Sequence, residues 1–407
     1  MSDHIPFEIQ SEIMKRLPVK SIIQFRSVSK QWKSFIDSPK FIKNYHINHT
    51  NPQHHLLVRY ELDNVQTYTS IIDNDTFPQQ KFPLTTPESL SLLRNTFTLS
   101  SVDGLLCFYG DVDSNTRMAV ISNPTVRKSV GIVIPIPKAG YTVVGFGVCP
   151  DTSDPKLVKI TVHVTPSMWE VEVFTLSTRN WKTAYMGALF KSCDLTWIQV
   201  FVDGVIYFRA YDMSLDQGSL FNTVISFDLK SEKFGEVCLP ERLLHARYLH
   251  VAKVNESLGL LEYYKEGDVT VCGVWTRKDG ANKTFTKIYT VKVEGRSLYR
   301  VLWIRNNGEV VMELDDNNYE ESGIEIYEPL SGHTNSVGIR GNRHTFYARS
   351  TIFGPIVLSH DGILVSQLFT FLLEVLYINA LSMGGGASFP FDQSMLCIDA
   401  KIVTEAL

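Results

Sequence analysis

Cysteine is scarce in this sequence, with six residues in a chain of 407. No two cysteines lie close enough to form a C-x-x-C pair, which excludes a disulfide-built scaffold and argues against a structural zinc site. We therefore expect reduced, mostly buried thiols, no metal and no cofactor. The six positions are Cys107, Cys149, Cys193, Cys238, Cys272 and Cys397.

An excess of one charge is also lacking, since the formal net charge is −4 and the pI is about 6.3. Such a chain has no strong overall field to hold nucleic acid or an anionic membrane, so we expect neither as a partner. The N-terminus has no uninterrupted apolar segment of the kind that signal peptides contain. We therefore expect a reducing compartment, which means the cytoplasm, the nucleus or both.

Long apolar runs are rare, and the exception is residues 362–381 within an atypical C-terminal tail at 361–407. A membrane span is the alternative interpretation of this run. Glu374 lies near its middle, where a carboxylate costs about 2.5–3.5 kcal/mol on insertion scales. We therefore predict that the run is packed or loosely ordered and does not cross a membrane.

Catalytic motifs are missing as well: the sequence has no G-x-S-x-G, no H-E-x-x-H and no P-loop. Gly145 and Gly147 form only a fragment of a glycine motif, which we interpret as a strand followed by a turn. A polar linker is the favoured interpretation of four clustered histidines, with metal ligation as the alternative. These are His46, His49, His54 and His55. We predict a protein that is not an enzyme, and a propeller enzyme remains a remote alternative.

The N-terminal segment has a helical pattern. Pro6 suits the first turn of a helix, and Ile9, Ile13 and Leu17 then recur every four residues on one face. Pro18 predicts the end of this helix.

Two further short helices are indicated. Ile22, Phe25 and Val28 mark the second, and Ser29 can cap a third that contains Trp32. A segment this short cannot bury all of its apolar surface alone. The pattern predicts either a docking module or a helical cap on the rest of the chain.

These residues carry a resemblance to a known family. The string RLPVKS, followed by FRSVSK and a tryptophan, resembles an F-box, although Ile-Pro stands where Leu-Pro is usual. The resemblance implies that the segment binds a Skp-family adaptor and, through it, the cullin and RING subunits of a ubiquitin ligase. The predicted adaptor-binding residues are Pro6, Ile9, Ile13, Leu17, Pro18, Ile22, Phe25, Val28 and Trp32.

The remainder of the chain repeats with a period of about 50 residues, the length of a kelch-like propeller unit. One landmark is a glycine turn before an apolar run, at Gly104, Gly204, Gly259, Gly308 and Gly362. A second landmark is an aromatic residue in an alternating strand, at Phe174, Phe227, Trp275 and Tyr327. Two landmarks with one period predict stacked four-stranded units.

The fold class predicted is therefore α+β by segments. It comprises a small three-helix F-box at residues 1–46, a linker at 47–55, and a large all-β, kelch-like β-propeller of six to seven blades at 56–360. One or two β-sandwiches are the alternative, but sandwiches do not require a fixed period.

The repeat region also resembles the plant F-box-associated domain, through pieces such as GLLCFYG, VVGFGVCPDTSDPKLVKI and ISFDLKSEKFGEVCLP. The resemblance implies a subunit that captures an unknown target protein for ubiquitination. An interaction protein that acts without ubiquitination is the alternative. The sequence does not identify the substrate-binding residues.

Overall fold

The computed structural model describes residues 6–353, apart from 18, 37, 39–40, 42–52, 64, 85, 125–127, 136, 138–139, 164–167, 189–192, 213–220, 278–283, 316–320 and 344. Cysteines 107, 149, 193 and 272 are buried and unbridged, as expected, whereas Cys238 is exposed. The predicted tail at 361–407, with Cys397, lies outside the described residues. Within the described ranges, no helix is both long and apolar enough to cross a membrane.

Three short helices open the chain: α1 (Phe7–Met14), α2 (Val19–Phe25) and α3 (Lys30–Ile36). Their core consists of Met14, Ile22, Ile36 and Phe41. The predicted cap of the third helix is present, since the Trp32 backbone N–H donates to Ser29 Oγ at 3.1 Å. The first helix ends at Met14 and continues as a turn through the residues before position 18.

The rest of the described chain is almost entirely antiparallel sheet, with two single-turn helices, α4 (Glu88–Ser91) and α5 (Glu241–Leu244). In chain order the strands are β1 (Gln53–Leu62), β2 (Val65–Ile72), β3 (Lys81–Pro83), β4 (Arg94–Val102), β5 (Leu105–Asp111), β6 (Thr116–Asn123), β7 (Lys128–Pro135), β8 (Tyr141–Val148), β9 (Pro155–His163), β10 (Met168–Thr175), β11 (Asn180–Ala188), β12 (Cys193–Val202), β13 (Val205–Asp212), β14 (Phe221–Asp228), β15 (Lys233–Val237), β16 (Tyr248–Val254), β17 (Ser257–Glu266), β18 (Val269–Arg277), β19 (Phe285–Val291), β20 (Leu298–Ile304), β21 (Val310–Asp315), β22 (Glu321–Tyr327), β23 (Thr334–Asn342) and β24 (Tyr347–Phe353).

These strands form six four-stranded sheets, the blades of a propeller. Blade 1 has the order β24-β1-β2-β3, and blades 2 to 6 take the remaining strands four at a time in chain order. The first strand of each blade is its innermost strand. Neighbouring inner strands contact one another from β24 to β4, β4 to β8, β8 to β12 and β12 to β16, and β20 contacts β24. The predicted propeller is confirmed with six blades, and the sandwich alternative is wrong.

The ring is closed by a strand from the end of the propeller. β24 pairs antiparallel with β1, with Ala348 opposite Val58 and Tyr347 opposite Arg59. Because β1 begins at Gln53, the propeller starts inside the segment predicted as a linker. His54 and His55 therefore belong to a strand, where buried His55 lies 2.8 Å from Ser70 Oγ through its Nδ1. His46 and His49 lie outside the described residues.

Both repeat landmarks can be placed on the blades. The four aromatic residues all lie in the third strand of a blade: β10, β14, β18 and β22. Gly104, Gly204 and Gly308 lie in turns between first and second strands, with φ of +75°, +77° and +89°. Gly259 was wrongly placed, because it lies inside β17 and the turn is made by Asn255 and Glu256, both with positive φ. Gly362 lies outside the described residues.

Apolar side chains fill the interfaces between blades. In the cluster between blades 3 and 4, fully buried Trp169 packs with Val143, Ile160, Phe208 and Phe227. Two glycines of β8 let the inner strand approach the neighbouring blade. A Cβ on Gly147 would overlap Phe201 and lie 2.8 Å from Leu229 Cδ1, and one on Gly145 would lie 2.8 Å from Phe208 Cζ. The glycine fragment of the sequence is thus a packing feature of this interface.

We predict that Gly147→Ala destabilises the propeller by about 1–3 kcal/mol, the usual cost of overpacking a filled core. Gly187→Ala is the matched control in the same blade, because its Cβ would lie 3.4 Å from the nearest atom, Tyr185 Oη. Thermal unfolding followed by circular dichroism should show a lower Tm for the first variant and an unchanged Tm for the second. Equal Tm values for both would show that β8 does not pack against blade 4 in this way.

Candidate protein-binding sites

The helical segment presents a small apolar surface. Ile9, Ile13 and Val28 are 52%, 46% and 63% exposed. Ile9 and Ile13 are one helical turn apart and therefore share a face of α1. Large aliphatic side chains exposed on so small a domain are typical of a docking surface.

The other predicted adaptor-binding residues have different surroundings. Ile22 is fully buried in the helical core, and Leu17, Phe25 and Trp32 pack against that core while remaining partly exposed. Pro6 is exposed and Pro18 is outside the described residues. The predicted stripe is therefore divided between a surface and the core that supports it.

Trp32 connects the helices. Its indole Nε1 donates to Gln10 Oε1 at 2.9 Å, and its ring packs edge-on against Phe25 with centroids 5.1 Å apart. These contacts join α3 to α1 and α2. Trp32 therefore sets the spacing of α1, which carries Ile9 and Ile13, relative to α2 and α3, whose connecting turn carries Val28.

The propeller contains a central cavity of about 370 Å³. It is lined by inner strands β4, β12, β16, β20 and β24, together with neighbouring side chains. Much of the lining is aromatic: Phe97, Tyr109, Trp197, Trp303, Phe346 and Tyr347. We call the end at which the inner strands begin the mouth of the cavity.

Bulges distort the inner strands of blades 2, 4 and 6. β4 and β20 each carry two, and in β12 the register shifts between Leu195 and Gln199. Such bulges re-aim side chains. The bulge in β12 brings Trp197 across the channel to stack on Tyr109 of blade 2, with centroids 6.1 Å apart. Gln199 Nε2 also crosses the channel and donates to the Leu99 carbonyl at 2.6 Å.

Arginines surround the mouth. The guanidiniums of Arg59 and Arg300 lie 4.9 and 4.8 Å from the centroid of the same ring, Tyr347. Arg117 lies 5.0 Å from the Trp197 ring. Cations over aromatic faces are attracted to the π-electrons. The mouth therefore combines aromatic surface with positive charge.

Among the described residues, Arg300 has a fully buried counter-ion and Arg59, the other arginine on Tyr347, does not. Arg300 Nε donates to Glu313 Oε2 at 2.9 Å, and that carboxylate is fully buried and also accepts from Ser322 Oγ at 2.7 Å. One Nη of Arg300 and one of Arg59 have no hydrogen-bond partner within the described part of the chain. Burial lowers the pKa of Arg59.

Arg209 is a cation near the mouth that has no carboxylate partner among the described residues. It is only 5% exposed, contacts Tyr211 through its guanidinium, and leaves its Nε without a partner. No carboxylate among the described residues forms an ion pair with it. His250 lines the cavity, and burial, reinforced by Arg209 and Arg300, lowers its pKa to about 4. His250 is therefore neutral at pH 7.

The sequence did not identify the substrate-binding residues, and the mouth was not predicted from it. A usable signal was present, since Arg209 and Arg300 interrupt the apolar strands VIYFRAYD and LYRVLWI. Charged residues are rarely buried without a partner, so their presence in such strands is informative. Across the described ranges, no group of three metal-ligating side chains could hold a metal ion.

Comparison with known proteins agrees with this architecture. A family model described as "F-box domain" matches residues 2–44, and one described as "F-box associated beta propeller domain" matches residues 45–358. The chain belongs to the F-box-associated β-propeller family. Its F-box precedes its propeller, in the predicted order. The finer description of the blades as kelch-like stays a prediction.

Similar F-box proteins occur in Arabidopsis thaliana. F-box protein At2g21930 is 28% identical over 362 residues, which cover 84% of this chain and 87% of that protein. Putative F-box protein At4g09190 is 27% identical over 381 residues, covering 83% and 95% of the two chains. Among solved structures, TolB from Acinetobacter baumannii matches with a TM-score of 0.43 and 9% identity, over 76% of this chain and 69% of that one.

His250 predicts a pH dependence of the F-box-associated propeller. An unfolded histidine has a pKa of about 6.5, so between that value and about 4 the unfolded chain binds a proton that folded His250 does not. Stability present above pH 6.5 is therefore lost as the pH falls toward 4. We expect His250→Gln to show a smaller decrease in Tm between pH 7 and pH 5 than the wild type.

The control is His333→Gln, at an exposed position in the turn between β22 and β23. It should keep the wild-type decrease. Some acid sensitivity should persist in both variants, because burial also lowers the pKa of His55 to about 4. An identical pH dependence in His250→Gln and wild type would contradict a neutral His250 in the cavity wall.

Proposed function

We propose that the chain is the substrate-recognition subunit of a Skp–cullin–F-box ubiquitin ligase. The F-box docks on a Skp-family adaptor and thereby on the cullin and RING subunits, and the propeller binds a target protein. The observation that carries the proposal is the F-box followed directly by its associated propeller, with an exposed apolar surface on the F-box helices. Cytoplasm, nucleus or both are the compartments we propose.

In this proposal the chain acts by proximity and performs no catalysis. Holding the target beside the ubiquitin-loaded subunits converts an encounter between separate molecules into a reaction within one complex. This chain must then provide two binding surfaces on one polypeptide, one for the adaptor and one for the target. The chemistry of ubiquitin transfer belongs to the other subunits.

The structure sharpens the choice of adaptor-binding residues. Ile9, Ile13 and Val28 are exposed and available for contact, whereas Ile22 supports them from the core. Full burial of one such side chain against a partner contributes about 1.5–3 kcal/mol. Leu17 packs against the core of the three helices, so a charge at that position would disturb the fold as well as the interface.

We therefore predict that Ile13→Asp and Val28→Asp, singly and together, weaken adaptor binding. Each replaces an apolar contact with a carboxylate that the interface must desolvate. The double variant should lose at least two decades in affinity, at about 1.4 kcal/mol per decade. The measurement is surface plasmon resonance with a purified Skp-family adaptor, accompanied by co-purification of the cullin.

The matched control is Ser34→Asp, which adds the same charge at an exposed position of α3. Positions 34 and 36 are about 200° apart around a helix, so Ser34 lies on nearly the opposite side of α3 from buried Ile36. This variant should bind like the wild type. Wild-type recovery of adaptor and cullin by the double variant would falsify the ligase proposal. If the wild-type chain recovered the adaptor without the cullin, this result would instead favour an interaction protein that acts without ubiquitination.

A further inference from the structure

We propose that the mouth of the central cavity is the target-binding site, and that it receives an acidic segment of the target in which carboxylates stand next to apolar side chains. That the ligand is a ubiquitination target rests on the proposed function. The binding itself does not, because it requires neither the adaptor nor the cullin.

Positive charge collects at the mouth. Arg59, Arg209 and Arg300 lie within one region, where Glu313 is the only fully buried carboxylate paired with any of them among the described residues. A buried cation without a counter-ion is costly for the folded chain. Arg300 is paired with Glu313, but among the described residues the guanidinium of Arg209 contacts Tyr211 and no carboxylate. The group that neutralises Arg209 is therefore expected from a ligand. That ligand must be an anion.

Exposed aromatic side chains form a rim around the mouth. Phe97, Trp197 and Tyr248, all on inner strands toward the mouth, are 45%, 46% and 52% exposed. Tryptophan, tyrosine and arginine are the residue types that most often dominate protein–protein binding energy. Trp197 is held in this position by the bulge of β12 and by its stack on Tyr109, so it is ordered before any partner arrives. The partner therefore brings apolar side chains beside its carboxylates.

The cavity is small. Its volume of about 370 Å³ is near the lower end of the range of roughly 300–1,000 Å³ for small-ligand pockets. Such a space accepts one or two side chains and excludes a folded element. A loop or tail of the target can insert acidic side chains toward Arg300 and His250 while its neighbours cover the aromatic rim.

A comparison of stability with binding separates this proposal from a structural role of the arginines. Arg209→Gln removes the uncompensated charge and keeps a hydrogen-bonding group beside Tyr211. If the charge serves a ligand, this variant should have a Tm equal to or above that of the wild type and should lose binding. A Tm well below that of the wild type would assign Arg209 a structural role and overturn the proposal. Lys233→Gln removes a positive charge at an exposed position of β15 in the same blade; it is the control and should change neither quantity.

Binding is measured with a phage-displayed library of random decapeptides, selected on the purified full-length chain. The selected pool should be enriched in aspartate and glutamate next to leucine or aromatic residues. It should bind at least tenfold more weakly to Trp197→Ala and Arg209→Gln, and more weakly to wild type as salt rises. Leu330→Ala is the control for Trp197→Ala, because Leu330 is 98% exposed in the turn between the outer strands β22 and β23 of blade 6, away from the mouth.

Three outcomes would overturn the proposal: a pool without acidic enrichment, a pool that binds Trp197→Ala as well as wild type, or no selected pool at all. Free glutamate and inorganic phosphate are tested as small-anion competitors of the selected peptides. If either raises the Tm of the wild type and displaces the selected peptides at equal concentration, the site binds a small anion and the peptide proposal is wrong. Wild-type adaptor binding by the F-box double variant, with peptide selection intact, would refute the ligase proposal alone.

Discussion

The pairing of β24 with β1 is the contact on which the rest of the propeller depends. A single four-stranded blade leaves two apolar faces in water, and each blade buries them only against its neighbours. The register that places Ala348 opposite Val58 joins the last strand of the propeller to the first. This pairing brings blades 1 and 6 together around buried Phe346, Ile324 and Leu56. The remaining inner strands are then held around one axis, where the cavity forms.

Crowding at that axis explains the form of the mouth. Six inner strands must converge there, and the chain accommodates them with glycines in β8 and with bulges in β4, β12 and β20. The bulges turn large side chains into the channel, so that Trp197 of blade 4 reaches Tyr109 of blade 2. The packing of six strands around one axis thus leaves aromatic surface and arginines together at one end of the channel.

The sequence was sufficient to predict the blades and insufficient to predict the mouth. Repetition is a property of each unit, so aromatic residues such as Phe227 and turns such as Asp203–Gly204 could be recognised one unit at a time. Gly259 was misplaced because a two-residue turn without glycine precedes it. On the helices, periodicity found the apolar positions but could not separate exposed Val28 from buried Ile22, since burial depends on how the helices pack. The mouth combines residues from blades distant in sequence, and its bulges arise from contacts that no local pattern encodes.

The position of the closing strand also has a consequence during synthesis. Because β24 is the last described strand, the inner edge of β1 has no partner until almost the whole propeller has left the ribosome. At about 5–20 residues per second, this interval lasts for tens of seconds. An unpaired strand edge is a template for pairing with other chains. The F-box, in contrast, emerges first and is complete before any blade. A chain whose translation stops before β24 therefore retains the F-box while its ring stays open. Completion of β24 decides whether the F-box is joined to a formed cavity.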